Sequence, residues 1–119
     1  MANEIRLTAS LNFTGTALPF QTLQFADKLV SVSSQRYIRN SQIVGTSREV
    51  LLLGDVTPGY ALLHNCDTTN YIDVFPDGSG AAVIRLNAGE VALFRFAASA
   101  PQVQANTAAC LLESLLINN

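Results

Sequence analysis

His64 is the only histidine of this chain, and it stands two residues before Cys66, one of only two cysteines. A thiol and an imidazole two apart on a strand share a face, the minimum for a Cys–His nucleophilic pair. Such a pair also needs a third group to orient the ring, and no such partner stands near it in the sequence. His64 is therefore expected to bond a neighbour rather than act as a catalytic base. A single histidine rules out H-x-H and H-E-x-x-H metal pairs, and with them a cupin-like metalloenzyme. Two cysteines and one histidine are too few for a zinc set by this count. Asp67, Asp73 and Asp77 lack the one-three-five rhythm and closing Glu of a calcium loop, so Asp67 and Asp77 read as turn formers. Gly78-Ser79-Gly80 has no Lys-Ser/Thr after it, which removes a phosphate loop. No metal, cofactor or catalytic residue is expected.

Composition narrows the partners. The 119 residues carry seven basic and nine acidic side chains, a net charge of −2, and are 49% hydrophobic but only 13% charged. That balance is the opposite of a disordered chain. The basic residues are scattered, with only Arg36 and Arg39 close together, so no stripe for nucleic acid is expected. No apolar run approaches the length of a membrane helix, and the start shows no basic flank with an apolar block, so no export signal is expected. Cys66 and Cys110 are expected to be free thiols. The scarcity of charge favours wide subunit contacts, since interface cores are depleted of charged residues. A trimer or larger homo-oligomer is the expectation. Tyr37, Tyr60 and Tyr71 are dispersed and Trp is absent, which weakens a sugar-stacking face. Tyr60 and Tyr71 are expected to pack as a cross-strand pair.

Strands must position whatever these residues do. Ile5, Leu7, Ala9, Leu11 and Phe13 alternate with polar residues, a period of two with one apolar face. Residues 14–28 form an irregular segment, with Pro19 arguing against a central strand. Leu29–Ser33 alternates again, and Glu49–Leu53 reads as a short strand covered on both faces. Pro58-Gly59 suits a type II turn. Tyr60–Cys66 and Tyr71–Phe75 read as strands, and 76–80 is a breaker cluster. Ala81–Leu86 and Glu90–Phe96 flank Asn87-Ala88-Gly89 as a hairpin. Residues 108–117 fit a helix slightly better by pattern, but the run of short strands calls for a closing strand, which places Leu111, Glu113, Leu115 and Ile117 on one face. Together these predict an all-β chain, a jelly-roll-like antiparallel β-sandwich of about eight to nine strands in one domain over 1–119.

Gly54–Tyr60, the stretch from Leu63 to Val74, Ile84–Leu93 and Asn106–Glu113 resemble segments of small structural proteins of tailed-bacteriophage virions. The resemblance spans residues 54–117, about half of the chain. It implies a virion component made in the host cytoplasm, with the major capsid protein and its own subunits as partners. The role implied is capsid decoration (cement), or alternatively a tail or head–tail joining part. A carbohydrate-binding β-sandwich module is the rival reading from the residues themselves. Contact to a partner is expected from Phe20 and Phe25, apolar residues without an obvious strand face, and from Asp77 and Ser79 in the 76–80 loop.

Overall fold

The structure, a computed structural model, describes residues 3–14, 21–32, 35–77, 79–97 and 100–118. They divide into two compact units, Met1–Ser34 and Gln35–Asn119. Every described element is a strand; none is a helix.

The first unit is a two-stranded antiparallel ribbon of β1 (Asn3–Phe13) and β2 (Gln21–Val32). The alternation expected for β1 holds, but the irregular segment expected over 14–28 is strand from Gln21 onward. Residues 15–20, Phe20 among them, lie outside the described residues. The reason β2 looks irregular is a bulge. Leu7 pairs with Lys28 and Ala9 with Phe25, so Ala26 and Asp27 together oppose Thr8. The bulged Asp27 has a φ of +54°, a left-handed conformation that Asp tolerates better than most residues. Its amide donates to the Thr8 hydroxyl at 3.3 Å. One extra residue reverses the strand's phase. Leu23 and Phe25 at odd positions therefore share a face with Val30 and Val32 at even ones, opposite Leu11, Ala9, Ile5 and Asn3 in turn.

The second unit is a jelly roll. Its eight strands are β3 (Tyr37–Val44), β4 (Glu49–Val50), β5 (Pro58–Asn65), β6 (Ile72–Phe75), β7 (Ile84–Leu86), β8 (Val91–Arg95), β9 (Gln102–Ala105) and β10 (Cys110–Asn118). They form two sheets, in the orders β3-β10-β5-β8 and β4-β9-β6-β7, antiparallel throughout. The pairs nest: β3 with β10, β4 with β9, β5 with β8, β6 with β7. A long antiparallel ribbon rolled so that successive pairs fall in alternate sheets produces that order. Residues 110–118 are the closing strand, alternating buried and exposed as far as Leu116.

Nesting explains two corrections. The hairpin expected across Asn87-Ala88-Gly89 does not form, because β7 pairs with β6 and β8 pairs with β5. The turn is real, with Glu90 N–H donating to Asn87 C=O at 3.0 Å and Gly89 at a φ of +79°. It carries the chain from one sheet to the other. For the same reason Tyr60 and Tyr71 do not pair. Tyr60 lies in β5 under Arg95, and Tyr71 precedes β6 under the Arg85 guanidinium, 3.8 Å from its ring centre. Pro58-Gly59 opens β5 instead of turning. The turn lies earlier, where Val56 N–H donates to Leu53 C=O at 3.1 Å and Gly54 takes a φ of +59°.

The core lies between the sheets. Val44, Leu63, Leu112 and Leu116 from one face Ile72, Val74, Leu86 and Val103 from the other. Glu49–Leu53 is not covered on both sides: Leu51 is fully buried, while Val50 and Leu52 point outward and are half-exposed or more. Only Glu49 and Val50 pair as strand. Gln42 holds the segment, its amide nitrogen donating to Glu49 and to Val50 C=O while its oxygen accepts from Leu52 N–H.

The turn glycines give a direct check. A Cβ on Gly54 would stand 3.2 Å from the Ile38 Cδ1 methyl, whereas one on Gly89 meets nothing within 4 Å. Both positions also carry the left-handed strain of about 1–2 kcal/mol for an L-residue. Urea unfolding should therefore show Gly54→Ala losing more stability than Gly89→Ala, with both losing about 1 kcal/mol or more.

Candidate functional site

The face of β3-β10-β5-β8 turned away from the core carries the polar chemistry. Register sets its rows: Ser41, Glu113, His64 and Val91 lie side by side, and Arg39, Leu115, Leu62 and Leu93 form the next row. Between them is an open depression of about 760 Å³, lined by Arg39, Ser41, Leu62, His64, Val91 and Glu113 among others. Cys66 extends the first rows, its amide donating to Leu111 C=O at 2.9 Å.

Three of these side chains meet. The Cys66 thiol donates to Glu113 Oε1 at 2.9 Å, Cys66 Sγ lies 3.5 Å from His64 Nδ1, and that nitrogen lies 3.7 Å from Glu113 Oε1. The Glu113 carboxylate that accepts the thiol's hydrogen bond raises the Cys66 pKa, and desolvation and the carboxylate's charge add to it. The same hydrogen bond lowers the Glu113 pKa, with the charges of His64 and Arg39 helping. The third partner that the local sequence did not offer is thus Glu113, from a strand paired directly with the histidine.

This is not the geometry of an activated nucleophile. A relay needs the base's two nitrogens to face different partners, but Cys66 and Glu113 both meet Nδ1. An activated thiol has a lowered pKa, and this one is raised. Cys110 is also free, buried on the opposite, core-facing side of the sheet. Burial raises its pKa.

No family model, no curated protein and no solved structure matches the chain.

Of the residues expected to touch a partner, Asp77 and Ser79 do not line this depression, and Phe20 lies outside the described residues. Phe25 lies on the ribbon, on the face shared with Leu23 and Leu11. Asp77 and Ser79 close their own turn, Asp77 Oδ1 accepting from Ser79 N–H at 2.9 Å. Arg48 clips that loop, donating to the carbonyls of Asp77 and Gly80 while its guanidinium lies 3.8 Å from the Phe75 ring centre. Asp77, Ser79 and Gly80 are therefore held by contacts within the jelly roll.

What sequence reasoning missed is mostly apolar. On the ribbon, Leu11 is 76%, Phe13 54% and Leu23 62% exposed, beside the expected Phe25 at 48%. These four belong to one face, by the pairs Leu11–Leu23 and Ala9–Phe25 and by the position of Phe13 beyond them. On the jelly roll's outer face, Ile43, Leu62, Val91, Leu93 and Leu111 are also exposed. Buried Asn65 was missed as well. Its amide nitrogen donates to the carbonyls of Asn70, Leu86 and Asn87, and its oxygen accepts from Asp67 N–H.

Proposed function

We propose that this protein is a structural subunit of a tailed-bacteriophage particle, a capsid decoration (cement) protein that works by surface contact. The observation that carries the contact-forming part is the ribbon's apolar face. A lone two-stranded ribbon is marginal in water, and one with a row of exposed Leu and Phe needs a surface to cover it. Neighbouring copies of the chain and the major capsid protein are the proposed cover. The capsid part is supported by the resemblance of residues 54–117. The jelly roll agrees by analogy alone, since that architecture serves viral capsids and lectins alike.

Binding to the assembled shell stabilises it as any ligand stabilises the state it binds. Particles produced without this chain should rupture at lower temperature than intact ones, and adding the purified protein should restore them. Equal rupture with normal tails would remove the cement role. Intact heads without joined tails would move the protein to the head–tail junction.

A further inference from the structure

We propose that His64, Cys66 and Glu113 form a binding site for a divalent transition metal of the zinc class. The three side chains offer one imidazole nitrogen, one sulfur and one carboxylate oxygen, all within 4.8 Å of one another. That mixed N/S/O set suits Zn²⁺, which takes thiolate, imidazole and carboxylate ligands at about 2.3, 2.0–2.1 and 2.0–2.2 Å. Tetrahedral angles at those lengths put sulfur and nitrogen about 3.5 Å apart, and nitrogen and oxygen about 3.3 Å apart.

The observed separations are 3.5 Å for Cys66 Sγ to His64 Nδ1 and 3.7 Å for Nδ1 to Glu113 Oε1. Only the sulfur–oxygen distance is short, at 2.9 Å against about 3.5 Å in a tetrahedral site. That gap holds the thiol proton. Metal entry releases this proton to solvent, the thiolate takes its place in the coordination shell, and the exposed Glu113 side chain has room to move the few tenths of an ångström required.

Two of the ligands stand on paired strands, and the third lies one residue past the end of β5. His64 and Glu113 are a direct cross-strand pair of β5 and β10, and the Cys66 amide continues that ladder through Leu111. Three protein ligands leave a fourth tetrahedral position, and the half-exposed cluster directs it toward solvent beside the open depression. That is the pattern of an open zinc site rather than a closed structural one. Arg39 acts on Glu113 from the same face, so affinity should fall short of that of an all-thiolate site.

The test uses the reduced full chain with Co²⁺ alone, followed by Zn²⁺. One equivalent of Co²⁺ should give a sulfur-to-cobalt charge-transfer band and the visible bands of tetrahedral cobalt, and Zn²⁺ should displace both. Cys66→Ser should abolish the charge-transfer band, while Cys110→Ala should keep it. His64→Gln and Glu113→Gln change exposed side chains, so they keep the test decisive if Cys66→Ser fails to fold. Each should weaken Co²⁺ binding at least about a hundredfold, since loss of a mere supporting contact already costs 10–100-fold. No charge-transfer band at saturating Co²⁺, or a band that survives Cys66→Ser undiminished, overturns the site.

Discussion

Replacing Asn65 with leucine should lower stability by about 3–5 kcal/mol, among the largest losses available to a single side chain here. Asn65 is fully buried and spends its whole amide on the joint between the two sheets. Its nitrogen serves the carbonyls of Asn70, Leu86 and Asn87, and its oxygen serves Asp67 N–H. Its own backbone accepts from Gly89 N–H and donates to Glu90 C=O. Leucine is nearly isosteric but satisfies none of the side-chain partners. Each buried group left unpaired costs about 1–3 kcal/mol, and those nearest the surface rehydrate, which keeps the total below the simple sum. Asn65→Asp should do no better, because a carboxylate would face three carbonyl oxygens. Urea unfolding at constant m-value measures the loss, and a change under about 1 kcal/mol would show that the crossover stands without this residue.

Exchanging Leu23 and Phe25 together for aspartate should abolish self-association while leaving the jelly roll folded. Both are large, exposed and on one face of the ribbon. Covering a Leu or Phe side chain contributes about 1.5–3 kcal/mol, so two lost contacts weaken each interface by about 3–6 kcal/mol. That corresponds to two to four orders of magnitude in the dissociation constant. Introduced charge would add a desolvation cost wherever the face is buried in the assembly. The outer-face pair Ile43→Ser and Val91→Ser tests the other apolar surface in the same way. A wild-type association constant in the Leu23→Asp/Phe25→Asp protein would take the ribbon out of the interface.

Much of this was legible because period two is a local signal. The alternation of Ile5 to Phe13 marks β1, and Cys110 to Asn118 closes the roll although leucines at helical spacing compete there. Pairing is not local, and the hairpin and β2 corrections arise from it. Asn87-Ala88-Gly89 has the chemistry of a tight turn, but nothing within three residues says whether its flanks pair with each other or with β6 and β5. In β2 one inserted residue, Asp27, shifts Leu23 and Phe25 out of phase with Val30 and Val32, so a strand resembles an irregular stretch. Pro58-Gly59 satisfies a turn template, yet Gly54 takes the positive φ and Gly59 joins the sheet. The His64–Cys66–Glu113 cluster was half visible. Two members lie two residues apart, and the third is 47 residues beyond Cys66, joined only by the β5–β10 register. Counting cysteines and histidines could not find it, since a carboxylate supplies the missing ligand.

The central claim is that this chain works by contact, with its uncovered apolar faces buried against other subunits. Sedimentation equilibrium of the 119-residue chain across the micromolar range tests it most directly. The expected result is a trimer or larger species, reduced to monomer by Leu23→Asp with Phe25→Asp at unchanged circular dichroism. A compact monomer at every concentration, with or without those substitutions, would contradict it.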